Sequence, residues 1–397
     1  MKIFKCNEIY TSKGIIDGYL HVVDKKVKQI TKTYDGVISY DFSGKKIIPG
    51  LIDTHNHGIM GFSMRQNVEK EFECNIGYLK GLAACGVTGV FPTCAPNRIG
   101  GIIEVAESEQ IFGAKILGIH SEGPWLNRVG EKGIKKKQQN VSIEAIKKMI
   151  DDSKGWMKVI SISPEIEGIE IVEKLAMENN VKLGLAHSDF NYSEAEEAIN
   201  SRGYSVFTHL GNAMTGLHHR DVGVLGAGLL NQGVYCEIIF DFIHVCKEMV
   251  QVMLKVKDKE KVIMISDNSE YTSLLPGVYN GTEDKTTIII GPDRSMRTET
   301  GKIQGSAVPL IEGLKNLVIN LGWNIEDAVK LTSNNPGDFY QLKNRGEIKE
   351  GNYADFVIID EKFNVYATVV EGEEVYNQET DIKSLFNNDF IEQHLIK

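Results

Sequence analysis

From Ile47 onward the chain alternates short apolar runs with helix-forming stretches, and this alternation limits the possible folds more than any other feature. Strands and helices repeated in that order bury their apolar faces by laying parallel strands side by side under a cover of helices. Eight candidate strands follow one another: Lys46–Asp53, Gly86–Pro92, Lys115–His120, Met157–Ser163, Val181–Ala186, Tyr204–Thr208, Tyr235–Ile239 and Lys261–Ser266. Glu170–Asn179 and Ser193–Asn200 are the clearest helices between them. The pattern predicts an α/β fold, a (β/α)8 TIM barrel, which takes roughly 250 residues and grows by insertion.

The two chain ends read differently. The first 48 residues carry short strand fragments, Ile15 to Val23, Val27 to Ile30 and Val37 to Ile38, with no amphipathic helix. Beyond Gly346 strands return, at Asp355–Asp360 and Val365–Val370. The economical arrangement pairs residues 1–48 with 346–397 in one small β-sandwich domain flanking a barrel of residues 49–345. Ser269 to Thr300 reads as a polar loop or hairpin over the barrel mouth, and helices resume at Ala307–Leu321 and Ile325–Thr332.

Composition excludes several function classes. A chain of 397 residues with 42% hydrophobic residues can build its core without disulfides. Its six cysteines form no C-x-x-C pair, so buried free thiols in a reducing compartment are expected rather than a zinc knuckle. A net charge of −10 argues against nucleic-acid binding yet permits a small anion held by local cations and backbone N–H groups. No apolar run approaches the about 20 residues of a membrane span, and the N-terminus lacks a secretory signal. These features predict a cytoplasmic protein with no membrane partner.

Metal-competent residues stand at the C-terminal ends of the candidate strands, the face on which TIM-barrel enzymes carry their active sites. His55 and His57 end the first; residues two apart on an extended strand point the same way, so both imidazoles can face one ion. The plainer alternative is two loop histidines with nothing shared. Glu122 follows the third strand, as turn punctuation or as a ligand. His187 and His209 end the fifth and sixth, which are neighbours in a barrel; each alone reads more readily as a satisfied core or loop residue than as a ligand. Two histidines and a glutamate form a catalytic zinc set with one position open for water. Asp267 ends the eighth strand, as a helix cap or as a proton carrier for that water. His244 and Arg220 lie on loops at the same end, where a substrate-orienting role fits.

Several ordered segments resemble the amidohydrolases, and in particular the N-acetylglucosamine-6-phosphate deacetylases. They are Pro49–Gly58, His120–Asn127, Thr208–Met214 with Leu217–Arg220, Asp241–Val245, Gly305–Ala307, and Asn335-Pro336 with Arg345–Val357. The resemblance spans nearly the whole chain. It implies that Glu122, His187 and His209 hold a principal divalent metal ion and His55 and His57 a second. Zinc or iron are the first choices, with manganese or cobalt as alternatives. It implies Asp267 as the catalytic base and His244 as the group orienting the sugar or acetyl. Asn212, Ala213 and Arg220 would contact the sugar phosphate, with Gly133 and Val308 also lining the substrate site. A homodimer is implied, because family members complete the phosphate grip with a second subunit.

The pocket departs from the family pattern where the metal set does not. Gly211 replaces an aromatic, Phe242 a glycine, Ile134-Lys135 an alanine and histidine, and Asn268 an alanine. Lys135, Lys136 and Lys137 offer an anion grip or only a solvated basic run. The expected reaction is hydrolysis of the N-acetyl amide of an amino-sugar phosphate. The alternatives are an N-acetylgalactosamine-6-phosphate deacetylase, an N-acyl-amino-acid deacylase, a cyclic amidase, or a non-catalytic relative that keeps the barrel.

Overall fold

The computed structural model describes the chain except residues 65–70, 95, 130–133, 136–139, 283–285, 381–384 and 397. Eight strand positions run parallel in a ring. Leu51–Asn56 pairs with Val87–Pro92, which pairs with Lys115–Ile116. The third position is shared: Ile119–Glu122 leaves that edge and pairs with Met157–Ile162. Lys182–Leu185, Tyr204–Phe207, Tyr235–Ile239 and Val262–Ile265 then follow in order. Parallel bridges Thr93 to His120 and Asn56 to Asn268 join the ends of the two sheets. Six of the eight expected strands lie within a few residues of their place, while the first and third are each broken in two.

Residue parity along the strands stacks two layers inside the ring. Phe91, Val159, Val206, Ile239 and Ile263 pack with Phe339 and Tyr340 into an apolar layer. Two residues further along the same strands, Ser161 and Thr208 point inward in turn, 2.6 Å apart between their hydroxyl oxygens. The larger core lies outside the ring, between strands and helices. The helix expected at Ser193–Asn200 forms. Tyr192–Arg202 begins with a capping box between Asn191 and Glu194 and ends on left-handed Gly203.

The chain ends do pair, but as one hydrogen-bonded sheet rather than as two separately paired sheets. Its order is Glu373–Asn377, Val365–Val370, Phe356–Ile359, Lys46–Pro49, Lys2–Thr11, Gly14–Val23 and Lys26–Thr31, with Tyr40–Asp41 beside Lys2–Thr11. The sheet encloses its own core around Phe4, Leu20, Ile47, Phe356 and Val369. The first expected strand, Lys46–Asp53, is therefore two strands. Lys46–Pro49 belongs to this sheet and Leu51–Asn56 to the ring. Gly50 makes the crossing: a Cβ there would lie 2.1 Å from the Thr88 Oγ1.

Ser269 to Thr300 builds an antiparallel sheet, Gly277–Asn280, Thr287–Ile290 and Met296–Thr298. The last helix, Asn388–His394, packs Phe390 against Tyr271 and Tyr279 of this region rather than joining the terminal sheet. Asn387 anchors it, donating to the Met60 and Gly61 carbonyls. Among the described residues no helix is long and apolar enough to cross a membrane.

Candidate active site

At the C-terminal end of the ring the five expected ligands converge. Glu122, the last residue of Ile119–Glu122, divides its carboxylate between two pairs of imidazoles. Oε1 lies 2.9 Å from His187 Nε2 and 3.0 Å from His209 Nε2, which are 3.1 Å apart. Oε2 lies 3.4 Å from His57 Nε2 and 3.8 Å from His55 Nε2, which are 3.2 Å apart. Asp267 closes the second side, its Oδ1 at 3.3 Å from His57 Nε2 and 3.5 Å from His55 Nε2.

The backbone is bent to achieve this. His187, His209 and Asp267 all have positive φ, at 52°, 34° and 50°, as does Phe242 at 61°. A non-glycine residue held there costs roughly 1–3 kcal/mol, so the surrounding hydrogen bonds must hold it. For His187 they are visible. Its Nδ1 donates to the Arg128 carbonyl at 2.5 Å while the Arg128 N–H donates back to the His187 carbonyl at 2.9 Å. The ring is thereby fixed with Nε2 as the lone-pair nitrogen facing Glu122. Asp267 is held likewise, its N–H donating to the His55 carbonyl at 3.0 Å.

The donor set fits a divalent cation. Three lone-pair atoms about 3 Å apart repel one another unless a positive charge sits among them, and ligand distances near 2.0–2.2 Å bring donors to such spacings. The field has the matching sign. Burial pushes the Glu122 carboxyl up, but His187, His209, His55 and His57 outweigh it and hold it well below the usual range. Burial also works against Asp267, and His57 and His55 again outweigh it and lower it. Burial pushes His209 down, which keeps its imidazole neutral and able to ligate. Among the described residues, three groups of side chains are close enough to hold an ion: His55, His57 and Glu122; Glu122, His187 and His209; and His55, His120 and Glu237.

The expected substrate residues are more dispersed. His244 is ordered by Asp241, which accepts from its Nδ1 at 2.7 Å and from the Ile243 and His244 N–H groups at 2.8 Å each. Asn212 turns back onto His209, donating from Nδ2 to its carbonyl at 3.1 Å, and Ala213 follows with φ 50°. Arg220 is exposed in the turn bridged by His218 and Asp221 and lines a cavity of about 500 Å³ with Asn191, Tyr192, Ser193 and His219. Val308 exchanges hydrogen bonds with Ser306, whose N–H donates to the Asp267 carbonyl. Gly133, Lys136 and Lys137 lie outside the described residues.

The sequence reading missed a buried polar layer beneath the ligands. His120 spans the ring, Nδ1 to the Thr54 carbonyl at 2.8 Å and Nε2 to Ser161 Oγ at 2.7 Å. Burial, with the charge of His55, pushes its imidazole down to about 4. Glu237 is fully buried in the middle of Tyr235–Ile239. The available signal was a single charge inside an apolar strand, which chains avoid unless it has partners.

Comparison with known proteins agrees with this geometry. The model of the amidohydrolase family matches residues 47–375. N-acetylglucosamine-6-phosphate deacetylase of Lysinibacillus sphaericus is 28% identical over 362 residues, 88% of this chain and 91% of that protein. N-acetylgalactosamine-6-phosphate deacetylase of Escherichia coli O157:H7 is 25% identical over 381 residues, 94% of this chain and 98% of the other. The crystal structure of N-acetylglucosamine-6-phosphate deacetylase from Thermotoga maritima superposes with a TM-score of 0.78 at 26% identity, covering 95% of this chain and 100% of that one. With a family match over most of its length, and a histidine–carboxylate cluster at the mouth of a parallel ring, this chain belongs to the amidohydrolase family.

Proposed function

We propose that this protein is a metal-dependent deacetylase that hydrolyses N-acetylglucosamine-6-phosphate to glucosamine-6-phosphate and acetate. The observation that carries the reading is the division of Glu122 between two histidine pairs with Asp267 beside one of them. Glu122, His187 and His209 would hold the principal ion, and His55 and His57 a second. Zinc or iron suits this nitrogen and oxygen set, with manganese or cobalt as alternatives. A divalent ion supplies Lewis acidity, making a water acidic enough to yield hydroxide near neutral pH.

The chain's own residues do the rest. Asp267 accepts the proton of the attacking water and returns it to the departing amine, which general acid–base catalysis requires of one group within reach of both. Asp241 fixes the His244 ring, which orients the sugar or its acetyl group. Asn212, Ala213 and Arg220 grip the sugar phosphate, with Val308 lining the slot. Residues 49–345 form the hydrolase unit, acting in the cytoplasm as a homodimer.

The galactosamine epimer is the second reading, favoured by the similarity to the E. coli enzyme. Acetate release from N-acetylated hexosamines, with and without a 6-phosphate, tests both. The proposal expects release from N-acetylglucosamine 6-phosphate at least about tenfold faster than from its epimer or the unphosphorylated sugar. Release from the epimer alone selects the second reading, and no release from any acetylated sugar phosphate overturns both.

A further inference from the structure

Glu237 has no part in the chemistry just described, yet it is a fully buried carboxylate at the heart of the ring. Its two oxygens are treated unequally. Oε1 accepts from the Thr54 hydroxyl at 2.9 Å and from the Tyr340 hydroxyl at 3.4 Å. Among the described residues Oε2 has no hydrogen-bond partner, and neither has Nδ1 of His55, also fully buried. These two atoms face each other at 3.8 Å. His120, third member of the same group, has both ring nitrogens engaged by Thr54 and Ser161, so it is occupied as a strut.

A carboxylate oxygen without a donor is costly at such depth, and the nearby donor that can answer it is a proton on His55 Nδ1. That proton would put the His55 lone pair on Nε2. Nε2 is the atom that faces His57 Nε2 at 3.2 Å and Glu122 Oε2 at 3.8 Å. A carboxylate behind a ligating imidazole fixes both its tautomer and its orientation. We infer that Glu237 is the positioning residue for the His55–His57 side of the site, holding His55 in the tautomer that ligates and so deciding whether a second divalent ion is retained. The Glu122–His187–His209 side does not depend on it, because there His187 is set by the Arg128 carbonyl.

The inference rests on the metal-dependent reading above, and its test reads metal rather than activity. Glu237→Gln keeps the shape and an oxygen for Thr54, but its amide N–H can donate to His55 Nδ1. His55 would then carry its proton on Nε2, where it cannot ligate. Stripped protein is titrated with Mn2+ in equilibrium dialysis and followed by electron paramagnetic resonance. Wild type is expected to bind two ions with the spectrum of an exchange-coupled pair. Glu237→Gln is expected to keep one ion at unchanged affinity, to bind the second about 10–100-fold more weakly, and to give the spectrum of an isolated ion. Tyr340→Phe disturbs the same carboxylate from its other oxygen and is expected to keep both ions.

Unchanged binding of both ions by Glu237→Gln would overturn the inference while leaving the hydrolase reading intact. Loss of the second ion to the same extent in Tyr340→Phe would also overturn it, since packing rather than the tautomer would then be in control. Wild type that binds no ion would remove the metal reading and this inference together.

Discussion

Asp267 and His120 show how much a single side chain's surroundings decide in this molecule. Asp267 sits within 3.5 Å of two imidazole nitrogens and is held by backbone hydrogen bonds at both its N–H and its carbonyl. Asp267→Asn preserves that shape and removes the proton acceptor. The account expects bound metal to remain and kcat to fall by about 10²–10⁴-fold, the usual worth of a general base; full turnover would remove Asp267 from the chemistry. His120 is a buried imidazole pushed down to about 4. Its folded pKa is below the unfolded value of about 6.5, so its contribution is present above pH 6.5 and is lost as pH falls through 4. The shift corresponds to about 3 kcal/mol. Urea unfolding of metal-free protein between pH 7 and 4.5 should show a shallower loss of stability for His120→Gln than for wild type. Equal slopes would contradict this. At this scale the converging histidines and carboxylates were legible because each ends an apolar run. Glu237 and His120 were not, because burial on both faces of a parallel strand hides which residues point inward.

Among the elements, the crossing at Gly50 ties the terminal sheet to the ring. The run from Lys46 to Asp53 is buried throughout, and continuous burial gives no periodicity to reveal where one strand ends and another begins. What separates the two is a backbone approach, Gly50 against Thr88, which only a glycine allows. Gly50→Ala is expected to cost about 1–3 kcal/mol in denaturant unfolding, with Thr88→Ala restoring part of it as a coupled pair. Simple additivity of the two substitutions would mean that this contact does not govern the crossing. Helices were easier to read than this junction, since Asn191, Glu194 and Gly203 mark their own ends chemically.

For the whole molecule, strand order and the position of the site followed from the alternation of strand and helix, because a parallel ring gathers all its strand ends on one face. Longer-range features did not follow. Nothing local in Asn388–His394 announces that it packs beside Tyr271 and Tyr279, since that contact depends on three apolar residues far apart in the chain. Likewise the terminal strands announce pairing but not whether they form one sheet or two, which is decided by Lys46–Pro49 lying between Lys2–Thr11 and Phe356–Ile359. The claim on which function depends is that Glu122 gathers cations at the ring's mouth. Anomalous diffraction at the metal absorption edge, on crystals grown with a transition metal, tests it directly. The account predicts a peak about 2.0–2.2 Å from Glu122 Oε1, His187 Nε2 and His209 Nε2. A map with no peak within reach of those three atoms, from protein that still releases acetate, would contradict it.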